Sequence, residues 1–66
     1  MEIVINGKAR QVPDDISLEQ AVSLIARSAA GLAAAVNNEV VRRASWPGTR
    51  LRPGDQVEVI TAVQGG

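Results

Sequence analysis

Gln56-Val57-Glu58-Val59-Ile60-Thr61-Ala62-Val63 is the longest β-branched run in the chain, and Gln64-Gly65-Gly66 follows it directly. Valine, isoleucine and threonine without an internal proline suit a central strand. Its alternation puts Val57, Val59, Thr61 and Val63 on one face, and Glu58, Ile60 and Ala62 on the other. The two glycines that end the sequence have no side chains to pack and the widest backbone freedom. They have two readings. One is an ordinary frayed terminus, where packing is lost. The sharper one makes the carboxylate of Gly66 the working group, carried on an arm thin enough to enter another protein's active site.

The rest of the chain supplies partners for that strand. Glu2-Ile3-Val4-Ile5-Asn6 is β-branched at its centre and reads as a strand. Asn6-Gly7 tolerates positive φ at both positions and is a strong hairpin signal. It leads to Lys8-Ala9-Arg10-Gln11-Val12, an edge strand stopped by Pro13. Ser17-Leu18-Glu19-Gln20 carries a capping-box pattern with Ser17 as N-cap. Leu18, Ala21, Val22, Ile25 and Ala29 then share one helical face, with Glu19, Gln20, Ser23 and Arg27 opposite and Leu24 at the edge. The helix is expected to run to a C-cap at Gly31. Ala33-Ala34-Ala35-Val36 and Glu39-Val40-Val41-Arg42 form a second hairpin about Asn37-Asn38. Ser45-Trp46-Pro47-Gly48-Thr49 reads as a loop, and Arg52-Pro53-Gly54-Asp55 as a tight turn.

The order strand, strand, helix, strand, strand, strand implies an α+β fold in which one helix covers one face of a small mixed sheet. Ile3 and Ile5 join Val57, Val59, Thr61 and Val63 in the helix-facing set. Val4, Ile60 and Ala62 are left on the open face, a candidate docking surface beside the tail.

Composition narrows the chemistry. The chain of 66 residues forms one domain, residues 1–66, with a core too small to enclose a deep pocket. It has no cysteine and no histidine, which excludes disulfides, thiol catalysis, thiolate metal sites and the usual neutral-pH general base. Seven basic side chains balance seven acidic ones, so non-specific nucleic-acid binding is not expected. No segment approaches the roughly 20 apolar residues that span a bilayer, and no secretory signal is visible. A cytoplasmic domain that binds neither membrane nor nucleic acid is expected, with no cofactor or metal of its own. Any activation must come from partners.

Ala35-Val36-Asn37-Asn38-Glu39-Val40-Val41, Arg43, Trp46, Arg52-Pro53-Gly54-Asp55-Gln56-Val57-Glu58-Val59 and the closing Ala62-Val63-Gln64-Gly65-Gly66 together resemble the ThiS family, the sulfur carriers of thiazole biosynthesis. The likeness covers nearly the whole chain, including the opening Ile-Asn-Gly hairpin. Its specific parts are the Ala-Val-Gln-Gly-Gly end and the Val-Asn…Trp spacing. Arg42 departs from the pattern, because family members often carry proline before the arginine.

The resemblance implies a ubiquitin-like β-grasp fold, a five-stranded mixed sheet with its first and last strands as parallel neighbours. It implies a protein co-substrate rather than an enzyme. An E1-like adenylyltransferase of the ThiF type would use ATP and magnesium to adenylate Gly66. A persulfide sulfur donor would convert the adenylate to a thiocarboxylate. A thiazole synthase of the ThiG type would then receive the sulfur for thiamin. Gly65 would let the backbone pass a narrow channel, and Val4, Ile60, Ala62, Val63 and Gln64 would meet partners. Carriers for molybdopterin or cysteine synthesis share the tail and the fold. A ubiquitin-like modifier and a non-covalent β-grasp interaction module are the other readings.

Three further features have simpler explanations. Arg42, Arg43, Arg50 and Arg52 form a stretch that is either a solvated edge or an electrostatic guide toward acidic partners. Asp14, Asp15 and Glu19 complement the helix start. Trp46, the sole aromatic residue, is expected to cap one end of the core.

Overall fold

The computed structural model describes residues 1–61. Strands β1 (Glu2–Ile5) and β2 (Lys8–Gln11) pair antiparallel through the Asn6-Gly7 turn. Asn6 and Gly7 have φ of 50° and 82°, the doubly left-handed geometry that matches the twist of a two-residue hairpin. Strands β3 (Leu32–Val36) and β4 (Glu39–Val41) pair the same way about Asn37 and Asn38, with φ of 51° and 71°. Asparagine tolerates this conformation better than other residues with a Cβ.

Strand β5 (Gln56–Thr61) lies between the two hairpins, giving the order β2-β1-β5-β3-β4. It runs parallel to β1, with Val4 opposite Gln56 and Ile5 opposite Val57. It runs antiparallel to β3 from Leu32↔Thr61 to Val36↔Val57. The long, β-branched, proline-free run is thus the central strand, as its sequence requires. The five-stranded mixed sheet with one helix is the ubiquitin-like β-grasp.

Helix α1 (Leu18–Ser23) begins at the expected capping box. The Ser17 hydroxyl accepts from Gln20 N at 3.1 Å, and the Gln20 side chain accepts from Ser17 N at 3.0 Å. The helix is shorter than its apolar periodicity predicts, ending at Ser23 instead of continuing to Gly31. Its end tightens through i→i−3 bonds from Leu24 to Ala21 and from Ile25 to Val22. The Ser23 hydroxyl also donates to the Gln20 carbonyl at 2.7 Å, the local side-chain bonding that weakens a helix interior. Gly31, with φ of 73°, sits instead in the turn closed by Leu32 N on Ala29 O, which launches β3. The strand therefore starts at Leu32, one residue early.

Ile3, Ile5, Val57 and Val59 meet Leu18, Ala21 and Val22 of the helix in one buried core. Val12, Ile16, Ala34, Trp46 and Leu51 complete it, and Ile25 and Ala29 pack at its margin. Thr61 departs from its expected core position and is exposed. The expected loop around Trp46 is a 3₁₀ turn, Arg43–Gly48, packed against α1. β4 accordingly stops at Val41, before Arg42. Trp46 does cap the core: it is 2% exposed, and its indole Nε1 donates to the Val41 carbonyl at 2.9 Å. Backbone bonds Leu18 N→Thr49 O and Leu51 N→Ile16 O tie the helix start to the segment entering β5. Pro53 and Gly54, the latter with φ of 84°, make the turn in which Asp55 N donates to Arg52 O. No helix among the described residues is long and apolar enough to cross a membrane.

Candidate functional site

The residues expected to carry the chemistry, Gly65 and Gly66, and the partner residues Ala62, Val63 and Gln64 lie outside the described residues. What the structure defines is the strand that leads to them and the surface around it.

On the open face, Ile60 and Val40 are 61% and 77% exposed. The register sets Ile60 beside Ala33, and Ala35 between Glu58 and Val40. With Glu58, these residues line a shallow depression, an alanine floor with larger apolar side chains at its margins. Small residues on β3 are what leave Ile60 and Val40 standing proud. Leaving such apolar groups in water is unfavourable, so a partner surface that covers them gains hydrophobic energy.

Val4 does not belong to this patch. It is half-buried, and its neighbours across the sheet are Ala9 on β2 and Gln56 at the start of β5. Four positions of β5 separate Gln56 from Ile60, roughly 13 Å at strand rise. Parallel pairing of β1 and β5 places Val4 at the wrong end of β5 to join Ile60. Val40, which stood unremarked in a short strand, takes its place. Only the cross-strand register reveals this, because Ala35 pairs with both Glu58 and Val40.

Two asparagines hold β5 in place by side-chain bonds. Asn37 N donates to Gln56 O at 2.7 Å, while Asn37 Oδ1 accepts from Gln56 N at 3.0 Å and Asn37 Nδ2 donates to Asp55 Oδ1 at 3.1 Å. Farther along, Asn6 N donates to Val57 O at 2.9 Å, Asn6 Oδ1 accepts from Val59 N at 2.8 Å, and Asn6 Nδ2 donates to Val59 O at 3.2 Å. Sequence reasoning assigned both asparagines to turns alone. The signal for more was the residue type: an amide offers a donor and an acceptor together, as a peptide group does.

The four arginines do not converge on one structure. All are exposed, and among the described residues none is in an ion pair. Arg50 donates from Nη1 to the Asp15 carbonyl at 3.0 Å, beside the helix start. Asp14 pairs with the amino terminus at 3.2 Å. No group of three His, Cys, Asp or Glu side chains among the described residues is placed to hold a metal ion. The described surface therefore offers an exposed apolar patch and a firmly held strand, with no side-chain nucleophile of the cysteine or histidine type in the sequence.

Comparison with known proteins matches these features to one group. The ThiS family model matches residues 3–66. Among solved structures, the crystal structure of the thiamine biosynthesis protein ThiS from Geobacter metallireducens superposes with a TM-score of 0.87 at 28% identity, covering 100% of both chains. An NMR solution structure of a thiamine biosynthesis protein from Geobacter metallireducens gives a TM-score of 0.73 at 28% identity, covering 100% of this chain and 88% of that one. No curated protein matches the chain by sequence.

Proposed function

The chain belongs to the ThiS family, and on that premise we propose that it is a sulfur carrier for thiamin thiazole synthesis, with Gly66 as its reacting residue. The observation that carries this reading is the family match extending through Gly65 and Gly66, on a domain whose sequence has no cysteine or histidine. The chain is then a co-substrate in the cytoplasm, and the catalysts are its partners.

The chemistry follows from the weakness of a carboxylate as an electrophile. Its oxygen is a poor leaving group, so one carboxylate oxygen of Gly66 attacks the α-phosphorus of ATP and pyrophosphate departs. An E1-like adenylyltransferase of the ThiF type supplies the ATP and magnesium. The terminal sulfur of a partner's persulfide then attacks the carbonyl carbon. The C–S bond forms, and AMP leaves with the electron pair of the broken C–O bond. A second thiol cleaves the remaining S–S bond, giving the thiocarboxylate and a disulfide on the donor side. A thiazole synthase of the ThiG type receives the sulfur. At Gly66 a Cβ would crowd attack on the carbonyl, and at Gly65 it would widen a backbone that must pass a narrow channel.

The test is intact-mass measurement after incubation with such an adenylyltransferase, ATP, magnesium and a persulfide donor. Exchange of one oxygen for sulfur, mapped to Gly66, is expected. Deletion of Gly66 should abolish the exchange while leaving the fold intact, and Gly66→Ala should slow it. A truncated chain that still accepts sulfur at its new terminus would sink the assignment. Rescue of a thiazole auxotroph, but not of a molybdopterin-deficient strain, identifies the pathway.

A further inference from the structure

We infer that Asn6 is a positioning residue for the reaction at the tail, its side-chain amide standing in for the peptide group that β1 no longer supplies. The inference rests on the carrier reading above.

In a parallel ladder, one strand's N–H donates to the other, and that second strand answers with an N–H two residues later. Here Val4 N donates to Asp55 O and Asn6 N to Val57 O, both at 2.9 Å. The next donor is Val59 N, whose regular acceptor would be the backbone carbonyl of Asn6. The main chain has by then turned away into the hairpin, with Asn6 at φ of 50°. The Asn6 side chain takes over both of the bonds that continue the ladder. Its Oδ1 accepts from Val59 N, and its Nδ2 donates to Val59 O. Val59 is 8% exposed, so these backbone groups have little access to water as an alternative partner.

Turn geometry alone does not require asparagine at this position. Glycine and aspartate also suit the first residue of such a turn. Glycine has no side chain to make the bonds, and an ionised aspartate has acceptors only, which would face the Val59 carbonyl with a like charge. Asparagine alone of the three turn formers completes both bonds. Gly66 follows Val59 by seven positions, so this clamp fixes the strand from which the reacting residue is extended. Asn37 is the natural control. Its Oδ1 also replaces a backbone carbonyl, but at Gln56, where β5 begins.

The experiment compares Asn6→Gly and Asn6→Asp with Asn37→Gly, using the adenylyltransferase that activates the wild-type chain, followed by pyrophosphate release. Backbone amide exchange at Val59 should accelerate about tenfold in Asn6→Gly, in line with the loss of a net hydrogen bond, whereas Asn6→Asp keeps an acceptor for that amide and loses only the bond to the Val59 carbonyl. At saturating carrier, kcat should fall about tenfold or more with KM nearly unchanged, because docking is intact and fewer docked chains present the tail correctly. Asn37→Gly should loosen the Gln56 amide and leave kcat alone. Simple destabilisation would instead lower the folded concentration, raising the apparent KM for every variant. Unchanged Val59 exchange in Asn6→Gly, or faster exchange with unchanged kcat, overturns the positioning role while the wild-type reaction still stands. Equal loss of kcat in Asn6→Gly and Asn37→Gly overturns it as well. A wild-type chain that no such enzyme activates overturns both this role and the carrier reading.

Discussion

Val57 and Val59 on one face of β5 and Ile60 on the other have nearly the same chemistry and opposite circumstances. Val57 and Val59 are 1% and 8% exposed beneath the helix, whereas Ile60 on the other face is 61% exposed. All three are β-branched and suit a strand equally. What separates them is parity along the strand and the presence of α1 on one side only. The helix-facing residues drive folding. The open-face residues leave apolar area uncovered, which costs the isolated domain little and is available to a partner. In so small a chain this division is economical, because one strand serves both the core and the surface.

The largest test of the division lies where the core is capped. Trp46→Ala removes the bulkiest fully buried side chain and the indole bond to Val41. A loss of about 3–5 kcal/mol is expected for such a truncation. Total stability for a domain of 66 residues is roughly 3–10 kcal/mol. Urea unfolding followed by circular dichroism should therefore show a variant near the edge of folding at 25 °C. A loss below about 1 kcal/mol would break the comparison, since stability would then not reside on the helix side.

Val57→Ala probes the same face within β5 itself. Removing two buried methyl groups should cost about 2 kcal/mol, which lowers the melting temperature by roughly 10 °C in a domain of this size. Ile60→Ala, which deletes more carbon from the same strand, should move it far less. Comparable shifts in the two variants would mean that the open face is packed in solution.

How much of this was legible in the sequence depends on the range of the interaction involved. Local signals were sufficient for the Asn6-Gly7 and Asn37-Asn38 turns, the Ser17 capping box and the central place of residues 56–61. Each rests on a few neighbouring residues or on a simple alternation. Helix length was misread because periodicity from Leu18 to Ala29 reports which residues can face a core, and it does not report where the backbone changes hydrogen-bonding pattern. Ile25 and Ala29 do pack at the core margin, but outside a regular helix. The loop around Trp46 became a 3₁₀ turn because the packed indole draws that segment against α1, a tertiary effect. Parity assigns Thr61 to the core, but as the last residue of β5 it is exposed. The open-face patch was half legible: Ile60 belongs to it, Val4 does not, and Val40 joins only through the register of β3 with both its neighbours.

The smallest expected change in stability, and the most informative one, is at that patch. Ile60→Ser and Val40→Ser replace exposed side chains, so each should alter unfolding free energy by no more than about 0.5 kcal/mol. Their expected effect is on association. Truncating an apolar side chain that anchors the centre of an interface costs more than about 1 kcal/mol of binding, and about 1.4 kcal/mol is a tenfold change in affinity. In the adenylation assay both variants should raise KM about tenfold and leave kcat nearly unaltered, because a docked chain still presents its tail from an intact β5. Val4→Ser, on β1 opposite the far end of β5 and on the same face of the sheet, should leave KM where it was. If Ile60→Ser and Val40→Ser bind as tightly as wild type, the open face is not the docking surface and its apolar residues are incidental. If Val4→Ser weakens binding equally, the footprint spans the whole sheet and the register argument that separates Val4 from Ile60 has no functional counterpart. The expected pattern, KM moved by the open face and kcat moved by Asn6, would assign docking and presentation to different residues attached to one strand.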